Sequence, residues 1–219
     1  MVNTSDPQDT RTVTVLLYDD FEVLDVFGPV EFFAHVPGWS VQYAGPTTRD
    51  TVRSAQGAEV TTDVSYSDLR DRVGGTDIVL VPGGPGSRTL ISDAGFLSDV
   101  ATICRRASVV TSVCTGSAVL AAAGVLDGRR ATSNKKSWSW ATSQGRRVTW
   151  VPQARWVVDD SARVPIWTSS GVAAGMDMAH ALVTELTGPS VADDIADNIE
   201  LEVHRDSRWD PFASVHGCT

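Results

Sequence analysis

Residues 108–126 read SVVTSVCTGSAVLAAAGVL: an apolar run from Ser108 to Val113, a lone cysteine at 114, then Thr115-Gly116-Ser117 and a stretch rich in alanine and leucine. The first part is short, continuous and β-branched, the pattern of a strand covered on both faces, and the stretch beyond the cysteine has helical composition. A cysteine at such a turn is a nucleophile elbow. Its side chain is pushed above the C-terminal edge of a parallel sheet, beside the unpaired N–H groups and the positive dipole end of the next helix. Both features predict a thiolate at Cys114, and the competing reading is a buried structural cysteine.

Toward the N-terminus, Val13–Tyr18 (VTVLLY) and Thr76–Pro82 (TDIVLVP) are two further strands of the same buried type, and Val41–Ala44 is another. The loop Asp19–Gly28 comes after the first strand, and a helix is expected beyond it, through VEFFAHV to Pro37-Gly38. Arg53–Leu69 alternates and is polar, which suggests short strands and a turn. Ser87–Ala107 reads as helix, with Ser92-Asp93 able to cap a second piece at Ala94, and the elbow helix Thr115–Ala123 ends at Gly124. A brief strand near Arg130–Thr132, a helix near Lys136–Gln144 and a strand near Val148–Pro152 come next. A hairpin (Arg155–Asp159, Val164–Thr168) and two helices (Val172–Leu186, Val191 to about His204) complete the pattern. Alternating strands and helices predict an α/β three-layer sandwich with a mostly parallel central sheet, flavodoxin-like in layout, occupying residues 13–205. Residues 1–12 are expected to be a flexible N-terminal segment and 206–219 a C-terminal tail, with Cys218 in a frayed end.

With 219 residues, 42% of them hydrophobic, the chain builds one large core, and one domain is expected. A net charge of -9 without a basic stripe opposes a nucleic-acid partner. No apolar run is long enough to span a bilayer and no secretory signal pattern is present, so no membrane partner and a cytoplasmic location are expected. Three cysteines without C-x-x-C spacing suggest neither a disulfide framework nor a metal site.

In a parallel sheet, ligands bind beyond the strand C-termini, where the first loop, the glycine loop Gly83–Gly86 and the elbow would meet. The glycine loop lacks both the P-loop and the dinucleotide pattern. An oxyanion site is the better fit, with the N–H groups of Gly84 and Thr115 facing charge near the sulfur and Gly83 and Gly116 allowing close approach. The first loop carries Asp19, Asp20, Glu22 and Asp25. Asp25 stands out because Val23, Leu24, Val26 and Phe27 bury the segment around it; it is either the N-cap of the next helix or a proton donor.

LDVFGPVEFF, LVPGG, TSVCTGSAVLAAAGVLDGRRAT and SSGVAAGMDMAHALVTEL together resemble the ThiJ/PfpI superfamily, a glutamine-amidotransferase-like α/β fold, over roughly residues 13–205. Within it, the C-T-G elbow with L-D-x-x-G-P is similar to isocyanide (isonitrile) hydratases. The resemblance implies Cys114 as nucleophile, Asp25 and Thr115 as its partners, a small-molecule substrate, no cofactor and a homodimer. Protease and amidase relatives place histidine directly after the cysteine, where this chain has Thr115, so the resemblance argues against a protease. Related hydratases often read A-T-T-H-W where this chain has Ala131-Thr132-Ser133-Asn134-Lys135, so Asn134 becomes a candidate for the pocket wall, with Trp138 and Trp140 able to refill it.

The implied chemistry is addition of Cys114 to the isocyanide, protonation of its carbon by Asp25, and hydrolysis of the thioimidate to an N-substituted formamide. Thiol acidity alone cannot drive it. Lowering a thiol pKa from ~8.5 by about three units raises the thiolate fraction roughly 30-fold, and the fall in intrinsic nucleophilicity cancels most of that. Asp25 beside a thiolate should share one proton with it. Competing readings are a glyoxalase- or deglycase-like thiol enzyme, a redox sensor in which Cys114 oxidises, and a ligand-binding regulatory domain. The regulatory reading is disfavoured because the sequence leaves no room for a DNA reader after the last helix.

Overall fold

Apolar, β-branched runs covered on both faces form the centre of a seven-stranded sheet. The computed structural model describes residues 10–72 and 75–218. In chain order the elements are β1 (Arg11–Leu16), α1 (Val23–His35), β2 (Trp39–Gly45), β3 (Thr51–Arg53), β4 (Glu59–Thr61), β5 (Val64–Ser65), α2 (Tyr66–Asp71) and β6 (Ile78–Val81). After these come α3 (Ser87–Leu90), α4 (Ala94–Arg106), β7 (Val109–Ser112), α5 (Gly116–Ala122), β8 (Arg130–Ala131), α6 (Trp138–Ser143) and β9 (Thr149–Trp150). The last are β10 (Trp156–Asp159), β11 (Ile166–Ser169), α7 (Ala174–Thr187), α8 (Pro189–Asn198) and α9 (Pro211–Val215).

The main sheet is ordered β10-β11-β7-β6-β1-β2-β5, and all its pairings are parallel except the β10–β11 hairpin. From β1 the chain moves one way along the sheet to β2, and from β6 the other way to β7. Right-handed crossovers in opposite directions put their helices on opposite faces, so α1, α7 and α8 pack together on one side and α2, α4 and α5 on the other. This is the expected three-layer sandwich. Phe32, Phe33, Ile78, Leu80, Leu120 and Met178 are among its fully buried side chains. The adjacent strands β1 and β6, from which the chain departs in opposite directions, form the topological switch point. Among the described residues no helix is long and apolar enough to cross a membrane.

Several boundaries differ from expectation, and the helix α2 begins inside the stretch Arg53–Leu69, where short strands and a turn are expected. The first strand begins at Arg11, so Arg11 and Thr12 belong to the sheet; residues 1–9 of the expected flexible segment lie outside the described residues. Helix α1 begins at Val23 and runs through Gly28-Pro29, because Gly28 lets α1 press against Met176 of α7 and that packing outweighs one lost backbone bond. Helix α8 stops at Asn198 rather than near His204: Glu200 takes a φ of 54° and the Leu201 N–H reaches back to the Ala196 carbonyl, a left-handed closure. The C-terminal tail is folded. Asp210 caps α9 through the Phe212 N–H at 2.9 Å, and Cys218 is buried with its thiol on the Lys135 carbonyl at 3.4 Å.

Candidate active site

Cys114 sits two residues beyond β7 with a φ of 57°, a left-handed conformation that a side chain adopts at a cost of about 1–2 kcal/mol. The surrounding structure holds it there. Its N–H donates to the Ser170 carbonyl at 2.9 Å, and its own carbonyl accepts from the hydroxyls of Ser117 and Ser133, each at 3.1 Å. Gly116 lets the start of α5 approach β6 closely: a Cβ there would stand 2.1 Å from the Val81 carbonyl oxygen.

Asn134 Nδ2 donates to the Cys114 sulfur at 3.1 Å. The amide orientation is set by its other end, where Oδ1 accepts from the Ser137 N–H at 2.9 Å. Asn134 is therefore more than the pocket wall it is expected to be: it is a hydrogen-bond donor to the Cys114 sulfur.

Asp25 lies in the first turn of α1, fully buried, and is not the N-cap; that position is Glu22, whose side chain makes no cap bond. Asp25 Oδ2 accepts from the Gly83 N–H at 2.8 Å, while Oδ1 is buried without a hydrogen-bond partner among the described residues. Gly83 is obligatory here, because a Cβ would stand 2.5 Å from Thr115 N, 2.6 Å from Thr115 Oγ1 and 2.8 Å from Asp25 Oδ2.

Burial, and after it the neighbouring Asp25, push the Cys114 thiol well above its ordinary range; the Thr115 N–H and Asn134 act the other way and do not prevail. Burial likewise raises the Asp25 carboxyl, with help from Glu22 and against the bond from Gly83 and the interaction with the Cys114 thiol. The expected thiolate is thus corrected. The elbow's positive end is real, but desolvation in a site this closed outweighs it, and the resting pair favours the neutral forms.

The oxyanion pair is corrected in part. The Gly84 N–H is occupied, donating to Thr115 Oγ1 at 3.0 Å, so it does not face the sulfur; the Thr115 N–H does interact with Cys114. Thr115 Oγ1 lies 3.2 Å from Ser87 Oγ, which also donates to the Gly84 carbonyl at 2.7 Å. Trp138 is displaced from its expected place: it lies over the Lys135 ammonium at 4.9 Å and edge-on to Trp150, lining a cavity that Cys114 does not line. Lys135 is turned inward and nearly fully buried, donating to Thr132 Oγ1 and the Ala154 carbonyl, each at 2.7 Å. Among the described residues no group of three or more His, Cys, Asp or Glu side chains is placed to hold a metal ion.

Sequence reasoning missed Tyr18, Ser87, Ser133 and Ser170. Tyr18 holds the glycine loop through its hydroxyl on the Pro82 carbonyl at 2.6 Å. None of the four carries a local signal: Tyr18, Ser133 and Ser170 act through backbone groups distant in sequence, and Ser87 joins the Gly84 carbonyl to the Thr115 hydroxyl. His216, near the C-terminus and without a sequence signal of its own, lines a cavity together with Asn134.

Residues 11–185 match the DJ-1/PfpI family. An isonitrile hydratase of Pseudomonas putida is 32% identical over 177 residues, covering 81% of this chain and 72% of that protein. A glutathione-independent glyoxalase of Caenorhabditis elegans, DJR-1.2, is 27% identical, covering 69% of this chain and 76% of its own. Among solved structures, a ThiJ/PfpI family protein of Pseudomonas syringae superposes with a TM-score of 0.77 at 26% identity, covering 95% of this chain and 84% of that one. Drosophila melanogaster DJ-1beta, at 19% identity and a TM-score of 0.74, covers 88% of this chain and 99% of its own, and shares the fold.

Proposed function

The chain belongs to the DJ-1/PfpI family, and we propose that it adds water to an isocyanide through a cysteine thioimidate, releasing an N-substituted formamide. The observation that carries this reading is Asp25: one carboxyl oxygen is held by the Gly83 N–H, and the buried carboxyl interacts directly with the Cys114 thiol beside it.

An isocyanide carbon takes both a nucleophile and a proton. The Asp25 carboxyl gives its proton to that carbon as the Cys114 sulfur bonds to it, and the thiol proton passes to Asp25. The result is Cys114–S–CH=N–R with Asp25 again neutral, and no free charge is required in the resting site. Asn134 donates to the sulfur while negative charge develops on it. Water then adds to the thioimidate carbon and a proton goes to nitrogen. The C–S bond breaks with a proton returned to sulfur, which leaves the formamide and the free thiol. Thr115, fixed by Gly84, positions substrate or water.

The glyoxalase relative supports a second reading, attack of Cys114 on a 2-oxoaldehyde. Aspartate rather than glutamate in the first turn of α1 and threonine after the cysteine disfavour it. The deciding experiment measures formamide production from several isocyanides by the native enzyme, Cys114→Ala and Asp25→Asn. Both variants should lose turnover. Conversion of methylglyoxal with no conversion of any isocyanide would overturn the proposal.

A further inference from the structure

Asn134 has two sides. One touches the sulfur at 3.1 Å, and the other lines a cavity of about 270 Å³ shared with Lys135, Lys136, Arg155, Phe212 and His216. Ser170, whose carbonyl holds the Cys114 N–H, and Gly171, against which Asn134 packs, line the same cavity, so it opens one side chain away from the reacting atom. A neighbouring cavity of about 320 Å³ shares Lys135, Lys136 and His216 and adds Arg88, which lies over the Trp140 ring at 4.2 Å.

Among the described residues no aspartate or glutamate lines either cavity, in a chain whose net charge is -9. Some of the positive charge is already answered: Arg155 pairs with Asp177, and Lys135 is held by neutral acceptors with Asp210 acting on it through space. Lys136 is not answered. It is exposed at the mouth of both cavities, and no carboxylate pairs with it or with Arg88 among the described residues. Phe212 and Val172 give the first cavity an apolar side. Cationic rim, apolar side and a reacting sulfur one side chain away describe a site for an anion on an apolar stem.

We propose that the substrate is an isocyanide bearing a carboxylate, of the kind formed when the amine of an apolar amino acid is replaced by an isocyano group. The carboxylate meets Lys136, the stem lies on Phe212 and Val172, and the isocyano carbon reaches Cys114 past Asn134. This inference rests on the hydratase reading of Cys114.

The test compares the phenylalanine-derived isocyanide with its uncharged amide, in the native enzyme, Lys136→Gln and Lys136→Arg. A charge-assisted hydrogen bond implies a ratio of kcat/KM, acid over amide, of about tenfold or more. The ratio should fall toward one in Lys136→Gln, through KM, and recover in Lys136→Arg. Calorimetric binding of the products, N-formylphenylalanine and its amide, should show the same preference without turnover. If the amide is converted and bound as well as the acid, the hydratase reading stands and this inference falls. If neither isocyanide is converted, the hydratase reading falls and takes the substrate assignment with it.

Discussion

Gly83→Ala probes the geometry on which the chemistry depends. The added Cβ would stand 2.5 Å from Thr115 N and 2.8 Å from Asp25 Oδ2, whereas ordinary contact begins at 3.4 Å. Restoring contact therefore moves the elbow backbone by 0.9 Å (3.4 − 2.5) or the carboxyl by 0.6 Å (3.4 − 2.8), and both neighbours cannot be relieved by one shift. Overpacking of this kind costs about 1–3 kcal/mol, or roughly 2–12 °C in Tm for a chain of this size. Misplacing reacting groups by about 1 Å costs on the order of 100-fold in rate. Thermal melts, formamide production and the rate of Cys114 alkylation by iodoacetamide read the effects separately. Gly128→Ala is the control: with a φ of 75° and nothing within 4 Å of the new Cβ, it should lose about 1–2 kcal/mol of stability and no activity. A Gly83→Ala enzyme that melts and turns over like the native protein would refute the account of the glycine loop.

Asp25→Asn removes the second cause of the raised thiol pKa, so Cys114 should titrate at lower pH by thiolate absorbance while turnover is lost. Folded Asp25 keeps a proton that the unfolded chain has released. The native protein should therefore lose stability relative to Asp25→Asn as pH rises from about 4 toward the raised folded value, seen in melts across that range. Asn134→Leu removes the donor on the sulfur. The thiol should titrate higher still and kcat should fall by roughly 10- to 150-fold, the range for a hydrogen bond to a developing charge. Lys135→Met tests the buried ammonium, whose pKa burial lowers from 10.5 to about 8. The unfolded chain binds the extra proton between those values. Native stability relative to Lys135→Met should thus rise between about pH 8 and 10.5, by on the order of 3 kcal/mol, and a flat difference would exclude the lowered Lys135 pKa.

The elbow was legible because its signal is local: a β-branched run, one cysteine and an alanine-rich helix are contiguous. Asp25 was legible as a residue type in apolar company but not as a helix residue, since Gly28-Pro29 reads as a break and only contact with Met176 shows why α1 runs through it. The choice between Gly83 and Gly84 as donors could not be read at all. Both belong to one loop, and which N–H serves Asp25 and which serves Thr115 depends on neighbours more than 30 residues away. The inward turn of Lys135 and the docking of Cys218 on its carbonyl, 83 residues apart, are likewise tertiary facts with no local trace.

The neutral resting pair also resolves the problem that the acidity arithmetic raises. Each unit of pKa lowering gains tenfold in thiolate and returns about threefold in nucleophilicity, and the gain ends once the thiol is ionised. A site that instead keeps the proton on sulfur must remove it during attack, and the group that removes it must be close, dry and able to hand a proton to carbon in the same step. In the proposed mechanism Asp25 is that group, buried and fixed by the Gly83 N–H. In the proposed mechanism the strained φ of Cys114 and the close approach of Gly83 serve one end: they bring the thiol and the carboxyl onto the same carbon.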